Sequence, residues 1–249
     1  MNRMKQLFAL LLALAMVFTL TACGSKEKKA YDEAMALFED GEYEDAADKF
    51  EELGDYEDSE DMAELCQIKA DPLKAVVEFI KENGTEPEEG KYHLERDTDS
   101  EYLTMAFNYN EEKGVLTVVA TSEQKIGTVT SKRMTGLDVT GDNPGTIIQM
   151  NSISSGSTNV YSAATGKVDI AALKSDTKPE FEDFYSNLGS SSKITDEFIG
   201  TSVDGINCIM EELTALLKEI HSDLTLKDLG IKNFKLDQDR ESNYRDGVS

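Results

Sequence analysis

The pattern of hydrophobic and polar positions divides the chain into a helical first part, a strand-rich middle and a helical end. From residue 30 to residue 70, apolar residues recur at spacings of three and four, as on one face of a helix. From Tyr92 to Ala163 the period falls to two, and from Pro179 the helical spacing returns. Short turns separate the strand-like runs, which favours an antiparallel sheet over βαβ units. We therefore expect an α+β fold, with a short N-terminal helical hairpin followed by an antiparallel β-sheet packed by helices.

Turn and cap residues predict where the first helices begin and end. Gly41 and Gly54 are expected to end the first two helices. Asp45 and Asp58 are expected to N-cap the second and third. Asp71-Pro72 predicts the start of a further helix, because Asp favours the N-cap and Pro the first helical position.

The middle of the chain predicts strands that alternate between covered and solvated positions. The predicted runs are 92–94, 102–109, 115–121, 126–134, 145–153 and 158–163. Residues 85–90 are expected to form a polar loop, and residues 168–173 either a strand or a helical turn.

Helical spacing at the end of the chain predicts helices that pack on one face of the sheet. Phe181, Phe184, Tyr185 and Leu188 indicate a short helix. Residues 198–220 form a long amphipathic pattern, which Gly200 and Gly205 are expected to split or bend. Phe234 is a candidate for a small final strand.

The most hydrophobic segment lies at the start and has the features of an export signal. Arg3 and Lys5 precede a run of twelve apolar residues, 7–18, which is too short for a comfortable membrane span. Leu20, Thr21 and Ala22 then precede Cys23, and this segment resembles a bacterial lipobox. The resemblance implies diacylglyceryl modification of the Cys23 thiol and cleavage after Ala22. Two acyl chains would anchor the protein stably, whereas one would not. The alternative is an ordinary secretory peptide with a Cys near its end.

A repeated turn sequence between the first helices gives a second resemblance. Residues 41–46 (GEYEDA) match residues 54–59 (GDYEDS) at an offset of thirteen. The segment resembles a tetratricopeptide repeat at its small, glycine and aromatic positions, which are Ala34, Gly41, Tyr43, Ala46 and Phe50. Ala30 stands where that motif prefers Trp, the second helix is short, and no closing Pro follows. The resemblance implies a repeat-like helical hairpin rather than a solenoid, which needs three or more repeats.

Charge excludes some partners. The chain has 25 basic and 49 acidic residues, a net charge of −24, which argues against nucleic acid and against direct adsorption to an anionic membrane. Residues 24–70 hold five Lys and seventeen Asp or Glu. This acidity fits a docking face for a basic partner or a solvated outer face. The candidate partner-binding face comprises the residues that follow the two glycines, namely Glu42, Tyr43, Glu44, Asp55, Tyr56 and Glu57.

Motifs for catalysis, cofactors and metals are not found, so we predict no catalytic residue, no cofactor and no metal ligand. His93 and His221 lie far apart in the sequence and are expected at the surface. Residues 97–101 begin like a calcium loop but lack its glycine and closing glutamate, and are expected to form a β-turn. Cys66 and Cys208 are expected to be buried free thiols, with a disulfide as the alternative.

These observations predict an extracytoplasmic lipoprotein that is held at the membrane by Cys23 and binds a protein or peptide of the cell envelope without catalysis. One alternative is a lipoprotein that binds a small solute or a cation, and its distinguishing feature would be a pocket lined by Tyr and Thr of the sheet. A second alternative is a carboxylate-based hydrolase. Oligomeric state is not predicted. The expected segments are a signal peptide (1–22), a lipidated Cys and tether (23–29), an acidic repeat-like helical segment (30–70), an α+β domain (71–236) and a polar tail (237–249).

Overall fold

The structure is a computed structural model that describes residues 26–189 and 193–235. Leu20, Thr21, Ala22 and Cys23 lie outside the described residues, as does the expected tail at 237–249. The chain forms two compact units, and the boundary between them falls between Asp71 and Pro72. In the described part, no helix is both apolar and long enough to cross a bilayer.

The described residues of the first unit, from residue 26 onward, form three helices. Helix α1 covers residues 26–40, α2 covers Tyr43–Leu53, and α3 covers Ser59–Ala70. Residues 26–29, which were expected in the tether, belong to α1. Gly41 leaves α1 with a φ of 82°, a conformation that glycine adopts without a steric penalty. Short-range bonds from the amides of Gly41 and Glu42 to the carbonyls of Phe38 and Leu37 close the turn.

Small and aromatic side chains form the core of this unit. Ala34, Ala46 and Phe50 are fully buried, and Ala47, Ala63 and Cys66 complete the cluster. The Tyr31 ring meets the Phe50 ring edge to face, with 5.6 Å between centroids. Because alanines occupy the contact positions of α1 and α2, these two helix backbones can approach closely.

In the part that the structure describes, the second unit combines two helices with an eight-stranded antiparallel sheet. Helix α4 covers Pro72–Asn83 and α5 covers Asp196–Ile220. The strands pair in simple chain order, each with its sequence neighbour. They are β1 Thr85–Glu88, β2 Lys91–Asp97, β3 Leu103–Asn110, β4 Val115–Ile126, β5 Val129–Asp138, β6 Thr146–Ser155, β7 Thr158–Lys167 and β8 Glu180–Ser186. The expected antiparallel sheet and the α+β class are therefore confirmed.

Helix α5 covers one face of the sheet. It packs on β4 and β5 and also touches α4. Phe107, Val118, Leu137 and Ile147 lie on the covered face and are fully buried. The opposite face carries half-exposed Thr, Met and Tyr side chains, so one face of the sheet is covered and the other is partly open, as the alternation predicts.

Gly205 allows α5 to lie close to β5. A Cβ atom at this position would lie 2.0 Å from the Thr135 Oγ1 and 2.5 Å from the Thr135 Cβ. The Thr135 hydroxyl donates to the Gln149 side-chain oxygen at 2.5 Å, and the Gln149 amide donates to Asn151 at 2.7 Å. The helix continues without a break through both glycines, so of the expected split or bend at Gly200 and Gly205 the split is wrong.

Strand β8 was expected to be a helix, and a β-bulge explains the error. Phe181 pairs with Gly166 and Asp183 with Thr165, which leaves Glu182 as an extra residue. The extra residue turns Phe181 and Phe184 to the same face, where both rings pack against Phe198 at 5.5 and 5.8 Å. Phe181 and Phe184 therefore share a face at a spacing of three residues, which is the spacing expected of a helix.

Smaller expectations also fail for identifiable reasons. Residues 85–88, expected in a loop, form β1, whose side chains are all exposed and so give no alternating signal. Helix α2 begins before Asp45, with Glu42 at its N-cap position, so Asp45 lies in the first turn. Phe234 lies in no strand of the described residues.

Neither of the two cysteines among the described residues forms a disulfide. Cys66 is fully buried in the first unit and Cys208 is buried in α5 of the second. Burial raises the pKa of the Cys66 thiol, which disfavours the reactive thiolate.

Candidate functional site

The turn between α1 and α2 forms an acidic pocket. Gly41, Glu42, Tyr43, Glu44, Asp45 and Ala70 line a concavity of about 350 Å³. The carboxylates of Glu42, Glu44 and Asp45 are exposed, and none forms an ion pair with another described residue. Because the amide groups of the first turn carry partial positive charge, three carboxylates are tolerated at the start of α2. The pocket therefore offers unneutralised negative charge to a cation or a basic side chain.

An aromatic ring holds the shape of this acidic pocket. The Tyr43 ring contacts the Phe38 ring edge to face at 5.5 Å, so the first residue of α2 is fixed against the end of α1. Ala46 and Ala47 directly behind it are buried in the helical core. The pocket is thus built on packed helices rather than on a long loop.

The second turn, between α2 and α3, is arranged differently. Tyr56 packs against Tyr31 with 6.0 Å between ring centroids. The Tyr31 hydroxyl donates to the Asp58 carboxylate at 2.5 Å, and this bond raises the pKa of Tyr31 to about 12. Asp58 occupies the expected N-cap position of α3 but makes no side-chain capping bond. Glu57 has a φ of 52°, which is unusual for a residue with a side chain.

The six residues of the candidate partner-binding face are consequently divided into two groups. Glu42, Tyr43 and Glu44 line the acidic pocket, whereas Asp55, Tyr56 and Glu57 follow the other end of α2. A helix of 11 residues is about 16 Å long, so the two groups lie too far apart to surround one side chain of a ligand. Asp45, which was predicted only as a cap, joins the first group.

The sheet carries a second concavity near β2, β3 and β4. Its volume is about 290 Å³, and its lining includes Tyr92, His93, Asn108, Tyr109 and Thr117. His93 Nδ1 and the Asn108 side-chain oxygen are 2.8 Å apart, and the Thr117 hydroxyl donates to Asp138 at 2.6 Å. His93 is therefore half-buried and hydrogen-bonded rather than a free surface side chain.

Lys81 fixes one wall of this Tyr and Thr pocket. Its ammonium group lies 4.5 Å from the centre of the Tyr92 ring and donates to the Glu111 carboxylate at 2.8 Å. The Glu111 contact raises the pKa of Lys81, so the group stays cationic. The Tyr92 and Tyr109 rings are cross-strand neighbours on one face of the sheet, and paired rings of this kind can pack on a small polar molecule.

Two carboxylates of α5 also form ion pairs with one arginine of β2. Arg96 Nε lies 2.8 Å from a Glu212 oxygen, and its guanidinium donates to both oxygens of Glu219, one of them at 3.0 Å. Arg96 lowers the pKa of Glu219. A general acid needs a raised pKa, so the lowered pKa of Glu219 is opposite to that required of a hydrolase acid.

The described residues hold no candidate metal site, and comparisons with known proteins found no match. Across the part of the chain that the structure describes, no group of three or more His, Cys, Asp or Glu side chains is placed to hold a metal ion. In the segment at residues 97–101, Asp97 ends β2 and residues 98–101 lie in the turn between β2 and β3. We found no protein-family model, no curated protein and no solved structure that matches this chain.

Proposed function

We propose that this protein is an extracytoplasmic lipoprotein that is anchored through Cys23 and binds an envelope protein or peptide without catalysis. The lipobox-like sequence at residues 20–23 supports the anchor. The observation that carries the binding role is the acidic pocket at the α1–α2 turn, where three exposed carboxylates surround a fixed Tyr ring. A binding module needs such a rigid, uncompensated surface more than it needs reactive groups.

The fold proposed for the first unit is a repeat-like helical hairpin. Its support is the position of Ala34, Ala46 and Phe50 in the core, where the tetratricopeptide motif has small and aromatic residues. Repeats of that class bind extended peptides on a helix surface, and a hairpin with an acidic turn would favour a Lys- or Arg-rich segment.

The proposed partner is therefore a basic segment of an envelope protein. Its ammonium or guanidinium groups would pair with Glu42, Glu44 and Asp45, and an aliphatic stem would pack on Tyr43. Such surface pairs are screened by salt, so we expect the complex to weaken as ionic strength rises.

A photo-crosslinking amino acid at position 43 of the lipidated protein in living cells tests this proposal. We expect a discrete adduct with a protein whose crosslinked peptide is basic. Glu42→Lys with Glu44→Lys should remove that adduct while leaving the protein in the membrane fraction. The same crosslinker at position 56, beyond the other end of α2, is the matched control and should give none of it. Equal adducts from positions 43 and 56, or none from position 43, would refute the acidic pocket as the binding site.

The Tyr and Thr pocket favours a second candidate, the binding of a small polar solute. The described lining of Tyr92, Tyr109 and Thr117 is the feature that distinguishes this candidate from a scaffold. A thermal-shift screen of sugars and amino acids, repeated with Tyr109→Ala, tests it. A shift that Tyr109→Ala abolishes supports solute binding, and the absence of any shift across the screen counts against it.

A further inference from the structure

A third concave surface, larger than the two described above, lies beside the C-terminal half of α5. It has a volume of about 520 Å³ and is bounded by α5 and the segment at residues 225–234 that follows it. Its apolar lining comes from Leu226, Ile231 and Phe234, and its lysines are Lys218, Lys227 and Lys232. We call it the lysine-rimmed groove. Neither proposed function above makes use of it.

The walls of the groove are held in place by the fold. Leu224 and Ile231 are buried, and the Ile231 amide donates to the Leu226 carbonyl at 3.0 Å. The Asn233 side chain donates to the Ala171 carbonyl at 2.9 Å, which ties the segment to the connection between β7 and β8. A ligand would therefore enter a preformed surface, and little ordering free energy would oppose binding.

The apolar part of the groove is partly open to solvent. Leu226 and Phe234 are half-buried rather than enclosed, although Ile231 beneath them is almost fully covered. Covering these side chains with an aliphatic chain would remove apolar surface from water, which is favourable in proportion to the area covered. The volume falls in the range of sites for one small molecule.

The charge of the groove is opposite to that of the whole chain. Among the described residues, three lysines and one acidic residue, Glu211, line it, in a protein with 49 acidic and 25 basic residues. The Lys218 ammonium donates to the Ser222 carbonyl. Lys227 and Lys232 are exposed and form no ion pair with a described residue. Two cations without an ion-pair partner among the described residues, beside an apolar surface, match a ligand with an anionic head and an aliphatic chain.

We propose that the lysine-rimmed groove binds a free single-chain fatty carboxylate. The chain would lie on Leu226, Ile231 and Phe234, and the carboxylate would meet Lys227 and Lys232. A single small molecule fits the volume, whereas a protein partner needs a much larger contact area. The carboxylate head explains the lysines, which a neutral apolar ligand would not require.

Fluorescence titration with dansyl-undecanoic acid below its micellar concentration tests this proposal. The protein is residues 23–249 with Cys23→Ala, so that neither acyl groups nor detergent compete. We expect saturable binding that dodecanoate displaces and that methyl dodecanoate and acetate do not. Lys227→Glu with Lys232→Glu should weaken binding about five- to tenfold at low salt, because two exposed ion pairs are lost and repulsion replaces them. Lys113→Glu with Lys167→Glu makes the same change in net charge on exposed lysines remote in sequence from the groove, and should leave binding unchanged.

Phe234→Ser gives an independent check of the apolar wall, because this side chain is only half-buried. We expect it to weaken binding by about tenfold, since a large apolar contact is lost. Equal weakening by the two lysine pairs would show a nonspecific charge effect and overturn the proposal. Displacement by acetate, or by phosphatidylglycerol vesicles in preference to dodecanoate, would also overturn it. So would binding that appears only after deletion of residues 236–249, because the groove would then belong to the chain's own tail.

Discussion

The contact between Gly205 of α5 and Thr135 of β5 predicts an unusual penalty for the substitution Gly205→Ala. A Cβ atom at position 205 would lie 2.0 Å from the Thr135 Oγ1 and 2.5 Å from its Cβ. Rotation of the threonine can move the hydroxyl but cannot move the Cβ. The helix must therefore lift from the sheet, or β5 must shift, in a core where Leu137, Ile206 and Ile209 are fully or almost fully buried.

The expected magnitude follows from two opposing effects. Overpacking of a filled core costs about 1–3 kcal/mol, and the short distances to an immobile Cβ place this case near the upper end. Replacing a helical Gly with Ala returns about 1 kcal/mol through helix propensity. We therefore expect Gly205→Ala to lower the free energy of unfolding by about 2 kcal/mol. For a unit of this size the melting temperature should fall by about 4–8 °C.

Gly200→Ala is the matched control for this substitution. Gly200 lies in the same helix, but a Cβ there would meet no atom within 4 Å. Only the propensity effect remains, so we expect a gain of about 0.5–1 kcal/mol. Opposite signs at two glycines of one helix would be hard to explain except by the close approach at Gly205.

Urea unfolding followed by far-ultraviolet circular dichroism measures both variants, and hydrogen exchange of α5 peptides assigns the change to the second unit. Thr135→Gly should be less harmful in the Gly205→Ala background than in the wild type, because it creates the missing space. If Gly205→Ala were as stable as Gly200→Ala, the described seating of α5 on β5 would be wrong.

Four further predictions concern ionisable groups. Arg96→Ala should lower the free energy of unfolding by about 2 kcal/mol at pH 7, because it removes charged hydrogen bonds to Glu212 and Glu219. Because Arg96 lowers the pKa of Glu219, the stabilisation that Glu219 gives relative to Glu219→Gln should be present above the ordinary pKa of a glutamate. It should be lost as the pH falls through the lowered pKa, and unfolding measured between pH 7 and pH 3 would show this loss. Tyr31→Phe should remove the tyrosine that ionises at about pH 12 from an ultraviolet titration, and an unchanged titration would contradict the Tyr31–Asp58 bond. Because the pKa of Tyr31 is raised, the stabilisation by this bond is present at neutral pH and is lost as the pH rises through that pKa. In the native Cys23→Ala protein, a thiol reagent should react only slowly. After unfolding it should label both Cys66 and Cys208. Fast labelling of either thiol in the native state would contradict their burial.

Local patterns predicted those elements in which one physical signal dominates. Strand β3 alternates buried and half-exposed residues from Leu103 onward, so the period of two was unambiguous. Helix α5 carries buried apolar residues along its length, and Pro72 marked the start of α4. Strand β8 was mistaken because its bulge at Glu182 is created by pairing with β7, which no local pattern records.

The candidate sites were less predictable, because they join residues that are distant in sequence or that meet only through turn geometry. The turn sequence after Gly41 led to the acidic pocket, but not to the separation of Tyr43 from Tyr56 by the length of α2. The lysine-rimmed groove brings Lys218 of α5 near Lys227 and Lys232 of a later turn, and sequence spacing alone gives no sign of that. The Tyr and Thr pocket depends on strand register, which placed Tyr92 opposite Tyr109.

The proposal that this protein is a lipid-anchored binding module depends first on Cys23. Intact-protein mass spectrometry of the membrane fraction, after expression of the full chain in a bacterium with lipoprotein-processing enzymes, tests that point directly. We predict a mature chain that begins at Cys23 and carries diacylglyceryl mass, and a Cys23→Ser protein that retains residues 1–22 without added lipid. A chain released into the medium with unmodified Cys23, or one cleaved at another residue, would contradict the anchor and with it the proposed location of the binding site.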